Sequence, residues 1–236
     1  IHGKIKSGYG GVKNSPRIAT GEAINLISKT KDFPFFLFLY YDDPHTPYNP
    51  PEEANIFLNP TNYEEPFYYP RPIPIKFFTG REYGKLTKQD FNIMQDLYDG
   101  EIFNLDNHFG NIIDTLKKFN LFEDTIIIFT SDHGEAFGER KRERGHGRKH
   151  YYEQCHVPLI ISYPSKIIKG KSYNKITGNI DIVPTILTIL GKNYSDQNFY
   201  GLPLFSEEGK LNHYDERHVY VETSNVKGIH SVYNDA

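Results

Sequence analysis

TIIIFTSDHG, residues 125–134, places β-branched and aromatic side chains directly before a polar turn. Its apolar part shows no alternation of polar and apolar side chains, which is typical of a strand buried on both faces. Asp132 and His133 lie in the turn that follows. In open α/β sheets, ligands bind beyond the carboxyl ends of the strands. The stretch therefore predicts a central strand that leads into a functional turn.

A second segment upstream has the same design. Residues 33–41 (FPFFLFLYY) form a continuous apolar run, and His45 follows a few residues later. If the two strands run parallel in one sheet, His45, Asp132 and His133 lie on the same edge of that sheet. Asp42 comes directly after the run and ahead of Pro44, so a turn-forming role is expected for it rather than metal binding.

The remaining pattern alternates strands with amphipathic helices. Residues 88–120 are expected to form a long helix, residues 157–162 a third buried strand and residues 181–190 a short helix. Residues 1–18 are expected to be loop, with a helix starting after Thr20. This order predicts an α/β fold with a mostly parallel or mixed central sheet flanked by helices.

The amino-acid composition argues against several classes of protein, namely disordered, nucleic-acid-binding and membrane-spanning ones. With 38% hydrophobic residues and 24% charged residues, the 236-residue chain is expected to be globular. The net charge of −3 argues against nucleic-acid binding by the protein as a whole. No apolar run is long enough to span a membrane, and none follows the first residues as in a signal peptide. A single cysteine favours a reducing compartment, so a cytoplasmic location is the favoured expectation.

Adjacent aspartate and histidine side chains are plausible metal ligands. The Asp132 carboxylate suits a hard divalent cation, whereas the His133 imidazole suits Mn²⁺ or Zn²⁺ more than Mg²⁺. The alternative is that Asp132 caps the turn and His133 is a partly buried structural residue. Two ligands do not complete a metal site, so others would have to come from elsewhere.

A basic loop follows at residues 145–150 (GHGRKH). Glycines on both sides of His146 allow its backbone to approach a ligand closely. Arg148 and Lys149 could stabilise an anionic group such as sulfate or phosphate. A solvated basic loop or a local nucleic-acid patch is the alternative interpretation.

Five motifs in this order resemble those of sulfatases and their phosphonate and phosphate diester hydrolase relatives in the alkaline phosphatase superfamily. The resemblance covers roughly residues 20 to 205. The motifs are PFFL…DPHTPY (34–48), YDGEI with Asp106 (98–106), TIIIFTSDHG (125–134), GHG…YE…HVPLI (145–160) and DIVPT (181–185).

The resemblance implies an alkaline-phosphatase-like fold and a role for each matching residue. Asp132 and His133 would be ligands of an active-site divalent cation, most often calcium in this family, with manganese or magnesium as alternatives. His45 would contact the ester oxygen or act as an acid toward the leaving group. His146 would bind the non-bridging oxygens of the substrate. A family lysine in this region is matched only loosely by Arg148 and Lys149, which are candidate substrate-binding residues.

The resemblance leaves out the nucleophile. Family members use a cysteine in a C-x-P-x-R context that is oxidised to formylglycine, or a serine or threonine in the phosphatases. Cys155 lies in Cys-His-Val-Pro-Leu, and Ser15-Pro16-Arg17 lacks the cysteine of that pattern. A formylglycine nucleophile is therefore expected only outside this chain.

The implied organisation is that residues 1–200 are the C-terminal part of the catalytic domain. Residues 201–236 would begin a small, partial C-terminal subdomain. A missing N-terminal half or an oligomer partner would complete the sheet, and the chain alone would be inactive. The expected activity is sulfate ester hydrolysis. The alternatives are a phosphodiesterase, phosphonate monoester hydrolase or phosphoethanolamine transferase, and a non-catalytic binding remnant.

Overall fold

The computed structural model describes residues 2–6, 15–58, 87–140, 144–147, 149–214, 217–223 and 226–232. The chain divides into two compact units: Ile1–Phe122 with Phe137–Arg144, and Glu123–Ala136 with Gly145–Ala236. Helices and short two-stranded ladders follow one another along the chain, in agreement with the α/β prediction.

The first unit begins with a strand–helix–strand segment: β1 (His2–Lys6), α1 (Ser15–Thr30) and β2 (Phe36–Tyr40). β1 and β2 pair in parallel, with Lys4 opposite Phe38. Parallel neighbours need a crossover connection, and α1, which contacts both strands, lies on that connection.

The start of the chain differs from the prediction. β1 occupies part of residues 1–18, which were expected to be loop, and α1 begins at Ser15 rather than after Thr20. Pro16 favours this earlier start, because its fixed φ suits the first helical turn and its missing N–H is not needed there. Both expectations are therefore wrong.

β2 also departs from the expectation of burial on both faces. Phe36 and Phe38 are 60% and 55% exposed, whereas Leu37 and Leu39, which alternate with them, are half-buried. Successive side chains of a strand point to opposite faces, so one face of β2 is covered and the other is not. An apolar run shows that a strand can be buried, but the layers that bury it come from other parts of the chain.

The long predicted helix is confirmed as α2 (Lys88–Lys118). A capping box starts it: the Asp90 backbone N–H donates to the Thr87 hydroxyl at 3.2 Å, and the Thr87 backbone N–H donates to the Asp90 carboxylate at 2.6 Å. α2 packs against α1. The core cluster at its N-terminal half comprises Tyr48, Ile93, Met94 and Leu97.

The second unit contains β3 (Ile127–Thr130) and β6 (Leu159–Ser162), which pair antiparallel. Every residue of β3 is half-buried, and Ile160 of β6 is exposed. The expectation that both strands are buried on both faces is therefore wrong. Each ladder among the described residues has two strands. The mostly parallel central sheet therefore stays a prediction.

The predicted short helix is confirmed as α4 (Ile182–Ile189). The other elements are β4 (Ala136–Phe137), β5 (Arg144–Gly145), α3 (Tyr152–Cys155), β7 (Val219–Thr223) and β8 (Val226–Val232). Among the helices of the described residues, none combines the length and hydrophobicity of a membrane span.

Asp181, directly before α4, attaches the chain beyond residue 200 to this helix. Its side chain is fully buried, accepts the Leu202 N–H at 2.9 Å and pairs with the Arg217 guanidinium. One turn later, the buried Thr185 hydroxyl accepts the Leu204 N–H at 2.9 Å. Burial of these polar groups is tolerated because each contact gives a buried donor a hydrogen-bond partner in place of the water that it loses on folding.

Candidate active site

The turn after β3 is held by hydrogen bonds on both sides. The Ser131 hydroxyl donates to the His133 carbonyl at 2.7 Å, and the Asn179 amide donates to the Ser131 carbonyl at 2.9 Å. The Gly134 N–H donates to the Gln154 carbonyl of α3 at 2.8 Å. These contacts fix the backbone that presents Asp132 and His133.

Gly134 is required by the close approach of this turn to α3. A Cβ atom at Gly134 would lie 2.2 Å from the Glu153 carbonyl oxygen, well inside van der Waals contact. Any side chain would push the turn away from α3, so glycine is the residue that permits this backbone path.

Asp132 and His133 present two donor groups close together. The Asp132 side chain is 72% exposed, and its Oδ1 accepts the His133 backbone N–H at 3.1 Å. The His133 Nδ1 lies 2.9 Å from the Gly134 carbonyl. A carbonyl oxygen can only accept, so Nδ1 carries the proton and the neutral ring has its lone pair on Nε2. That Nε2 lies 3.8 Å from Asp132 Oδ1.

This pair fits two positions of a divalent-cation site. A metal-ligating histidine usually donates its second ring N–H to a carbonyl or carboxylate, as His133 does. Within the described ranges, however, no three His, Cys, Asp or Glu side chains are grouped as a complete site would need. Asp132 and His133 could therefore supply only part of the ligand set of a metal ion.

His146 lies directly against His133. Their ring centroids are 3.7 Å apart and the ring planes differ by 22°. Gly145 and Gly147, on either side of His146, have φ values of +65° and +78°, which an L side chain rarely adopts. This left-handed backbone turns the His146 ring onto the loop that carries His133.

Glu135 holds the His146 ring from the other side and was not singled out by the sequence. Its side chain is 4% exposed, and its Oε2 lies 3.2 Å from His146 Nδ1, which donates to it. This hydrogen bond raises the pKa of His146 above its ordinary value, against the lowering effect of burial. The available signal was its place two residues after His133 in the same motif.

The other predicted site residues are distributed as follows. His45 belongs to the first unit and is exposed; its Nδ1 lies 2.9 Å from the Thr46 carbonyl. Lys149 is exposed in the second unit, and Arg148 lies outside the described residues. The structure brings Asp132, His133 and His146 together, whereas a joint site with His45 stays a prediction.

Comparison with known proteins adds an independent line of evidence. The sulfatase family model matches residues 6–192. N-acetylglucosamine-6-O-sulfatase of Bacteroides thetaiotaomicron is 33% identical over 161 residues, covering 58% of this chain and 28% of that protein. Arylsulfatase K of Canis lupus familiaris is 28% identical over 229 residues, covering 86% of this chain and 41% of that protein.

Among solved structures, the phosphonate monoester hydrolase of Agrobacterium radiobacter superposes with a TM-score of 0.71 at 23% identity. The match covers 95% of this chain and 49% of that one, and at this identity it shows a shared fold alone. The chain thus spans less than half the length of each of these three proteins. Because the family model matches most of its residues, the chain belongs to the sulfatase family, with the fold of the alkaline phosphatase superfamily.

Proposed function

We propose that this chain carries part of the active site of a sulfate ester hydrolase whose formylglycine nucleophile lies outside residues 1–236. The observation that carries the proposal is the stack of His133 and His146, with centroids 3.7 Å apart, beside the exposed Asp132 carboxylate. Two imidazoles and a carboxylate from two adjacent loops combine cation-binding and anion-binding groups, which a sulfate ester site needs.

Asp132 and His133 would hold the divalent cation, with calcium as the preferred ion and manganese or magnesium as alternatives. When bound, the ion would polarise the sulfate oxygens and lower the pKa of the nucleophile. The lone pair on His133 Nε2 and the exposed carboxylate of Asp132 support this assignment.

His146 would bind a non-bridging oxygen of the sulfate. Its Nδ1 is engaged by Glu135, so any substrate contact of this ring is made by Nε2. The buried Glu135 carboxylate sets the orientation and tautomer of His146, as an orienting acid does for a catalytic histidine. Arg148 and Lys149 are proposed to contact the same anionic group.

His45 would deliver a proton to the leaving-group oxygen as the bond between sulfur and that oxygen breaks. Its Nδ1 donates to the Thr46 carbonyl, so Nε2 is the nitrogen that would carry the transferred proton. An alcohol leaves far more readily than an alkoxide, which is the reason for an acid at this position.

The family match also supports the proposed organisation. It ends at residue 192, close to the expected end of the catalytic part at 200, after which residues 201–236 would begin the C-terminal subdomain.

The parallel pair of β1 and β2 would be part of a mostly parallel or mixed central sheet flanked by helices. The exposed Phe36 and Phe38 would be covered by an N-terminal half or an oligomer partner.

The test uses the natural full-length protein with 4-nitrophenyl sulfate as substrate. We expect His146→Ala and Asp132→Asn each to lower kcat/KM by about 10²- to 10⁴-fold. His213→Ala is the matched control, because His213 is an exposed histidine of the same unit outside the cluster, and its activity should equal that of the wild type. Equal activity of the His146 and His213 variants would contradict the proposed site.

Phosphonate monoester hydrolysis is the second candidate, because the five motifs of the chain resemble those of sulfatases and of their phosphonate hydrolase relatives alike. It is distinguished by assaying 4-nitrophenyl phenylphosphonate alongside the sulfate ester with the same variants. A higher kcat/KM for the phosphonate would select this alternative. Absence of turnover with both esters would favour a non-catalytic binding protein.

A further inference from the structure

Glu101 is a buried carboxyl group in the middle of α2. It is 2% exposed, in the first unit rather than in the cluster around His133. Burying a carboxyl group is unfavourable unless a partner compensates it. Its Oε1 accepts the backbone N–H of Asn49 at 2.6 Å, a contact between groups distant in the chain. No hydrogen-bond partner of Oε2 exists in the part of the chain that the structure describes.

The residues on either side of Asn49 also pack against α2. Tyr48 is 1% exposed, and its ring meets the Tyr98 ring edge-on with centroids 5.5 Å apart. Pro50 lies close to Gly100 of α2: a Cβ atom added at Gly100 would be only 2.9 Å from the Cγ atom of Pro50. Three consecutive residues therefore attach one end of the segment 41–50, which we call the His45 loop, to α2.

The other end of the His45 loop is attached to α1. The Tyr41 hydroxyl is 2.8 Å from the Thr20 hydroxyl, and the Asp43 carboxyl accepts a hydrogen bond from the Ser15 side chain. His45 lies between these two attachment points and is exposed. Its backbone N–H donates to the Asp42 carbonyl at 2.9 Å. The ring position thus depends on contacts at both ends of the loop.

We propose that Glu101 is a positioning residue for His45, acting through its hydrogen bond to the Asn49 N–H at the α2 end of the His45 loop. The consequence for catalysis rests on the proposed function, in which His45 protonates the leaving group. The apolar contacts of Tyr48 and Pro50 hold the loop against α2 but do not fix the orientation of its backbone. The hydrogen bond to Glu101 does fix it, because good geometry requires the Asn49 N–H to point at the Glu101 carboxyl group.

Two substitutions separate this role from simple core packing. Glu101→Gln keeps the volume and an acceptor oxygen for Asn49, whereas Glu101→Leu keeps an apolar volume and removes the acceptor. Ile112→Ala is the matched control: Ile112 is a buried residue of the same helix and does not belong to the core cluster around Tyr48. Glu101→Met replaces the leucine variant if the latter does not fold.

Amide hydrogen exchange of the natural full-length protein gives the first readout, independent of activity. In Glu101→Leu we expect the Asn49 amide and the rest of the His45 loop to exchange about tenfold faster or more, relative to α1. Glu101→Gln should stay close to the wild type, and Ile112→Ala should not affect the loop selectively. Loop exchange in Glu101→Leu no faster than in Ile112→Ala would overturn the proposal.

Leaving-group dependence gives the second readout. A displaced acid slows esters with poor leaving groups most, so Glu101→Leu should lower kcat for phenyl sulfate at least about tenfold more than for 4-nitrophenyl sulfate. Glu101→Gln should restore the wild-type ratio, and an equal loss for both esters would count against positioning. If the wild type hydrolyses neither ester, the proposed function fails, while the exchange result still decides whether Glu101 orders the loop.

Discussion

The His133 and His146 rings stack at 3.7 Å, and the buried Glu135 carboxylate accepts a hydrogen bond from the second ring. The two histidines come from separate motifs of the sequence, one in the turn after β3 and one directly after β5. Their contact means that a change at either motif alters the other. The following predictions test this cluster and the framework that holds it.

Replacing Glu135 by glutamine should lower the pKa of His146. The hydrogen bond that His146 Nδ1 donates to Glu135 is the largest contribution that raises this pKa, and the charge of Asp132 is the smallest. Glu135→Gln is therefore expected to lower the pKa more than Asp132→Asn does. NMR titration of the ring resonances in the presence of a chelator measures both shifts, and a larger effect of Asp132→Asn would contradict the geometry.

Gly134→Ala should damage the turn that presents Asp132 and His133. The added Cβ atom would lie 2.2 Å from the Glu153 carbonyl oxygen, so the backbone of the turn has to move by about 1 Å to relieve the clash. We expect a loss of stability of about 1–3 kcal/mol and weaker divalent-cation binding. Urea unfolding and calorimetric calcium titration measure these effects. Gly110→Ala is the control and should change neither property for the worse, because an added Cβ atom would have no described atom beyond its own helix backbone within 4 Å.

Asp181→Asn should be strongly destabilising. The substitution leaves the Arg217 guanidinium, 8% exposed, without its anionic partner in a buried position. Removing one member of a buried ion pair costs about 3–5 kcal/mol. Asp196→Asn, at an exposed position of the same unit, should change stability by no more than about 0.5 kcal/mol. Similar urea midpoints for the two variants would show that the pair contributes little.

Stability should fall with rising pH because of Glu101. Burial, reinforced by the charges of Asp43 and Asp42, raises the pKa of Glu101 to about 9 from an ordinary value of 4.5. Between these values the folded state keeps the proton and the unfolded state releases it, so the contribution of Glu101 is full below pH 4.5 and is lost as pH rises through about 9.

Glu101→Gln removes the contribution of this ionisable group to the pH dependence of the free energy of unfolding. Relative to wild type, the variant should gain about 1 kcal/mol of stability per pH unit between about pH 5 and pH 8. Urea unfolding at several pH values measures the difference. A difference that is independent of pH would mean that Glu101 is ionised in the folded protein.

Much of the site could be predicted from sequence, because a few local patterns carry it. The apolar run before Ser131 and the glycines around His146 mark the two loops, and their structures follow from backbone preferences that act over a few residues. Glu101 could also have been recognised as buried. It lies four residues from Leu97 and four from Leu105, and therefore on the apolar face of α2. Its partner Asn49 could not be predicted, because that contact depends on how the loop packs.

By itself, the sequence determined the family motifs, the long helix α2, the short helix α4 and the residues of the candidate site, since periodicity and turn chemistry are local properties. Only the tertiary structure decided that β3 pairs antiparallel with β6, that Phe36 and Phe38 face outward, and that Glu135 supports His146. Strand pairing and burial depend on contacts between distant segments. The same apolar strand can be paired on either side or covered on either face without any change in its own residues.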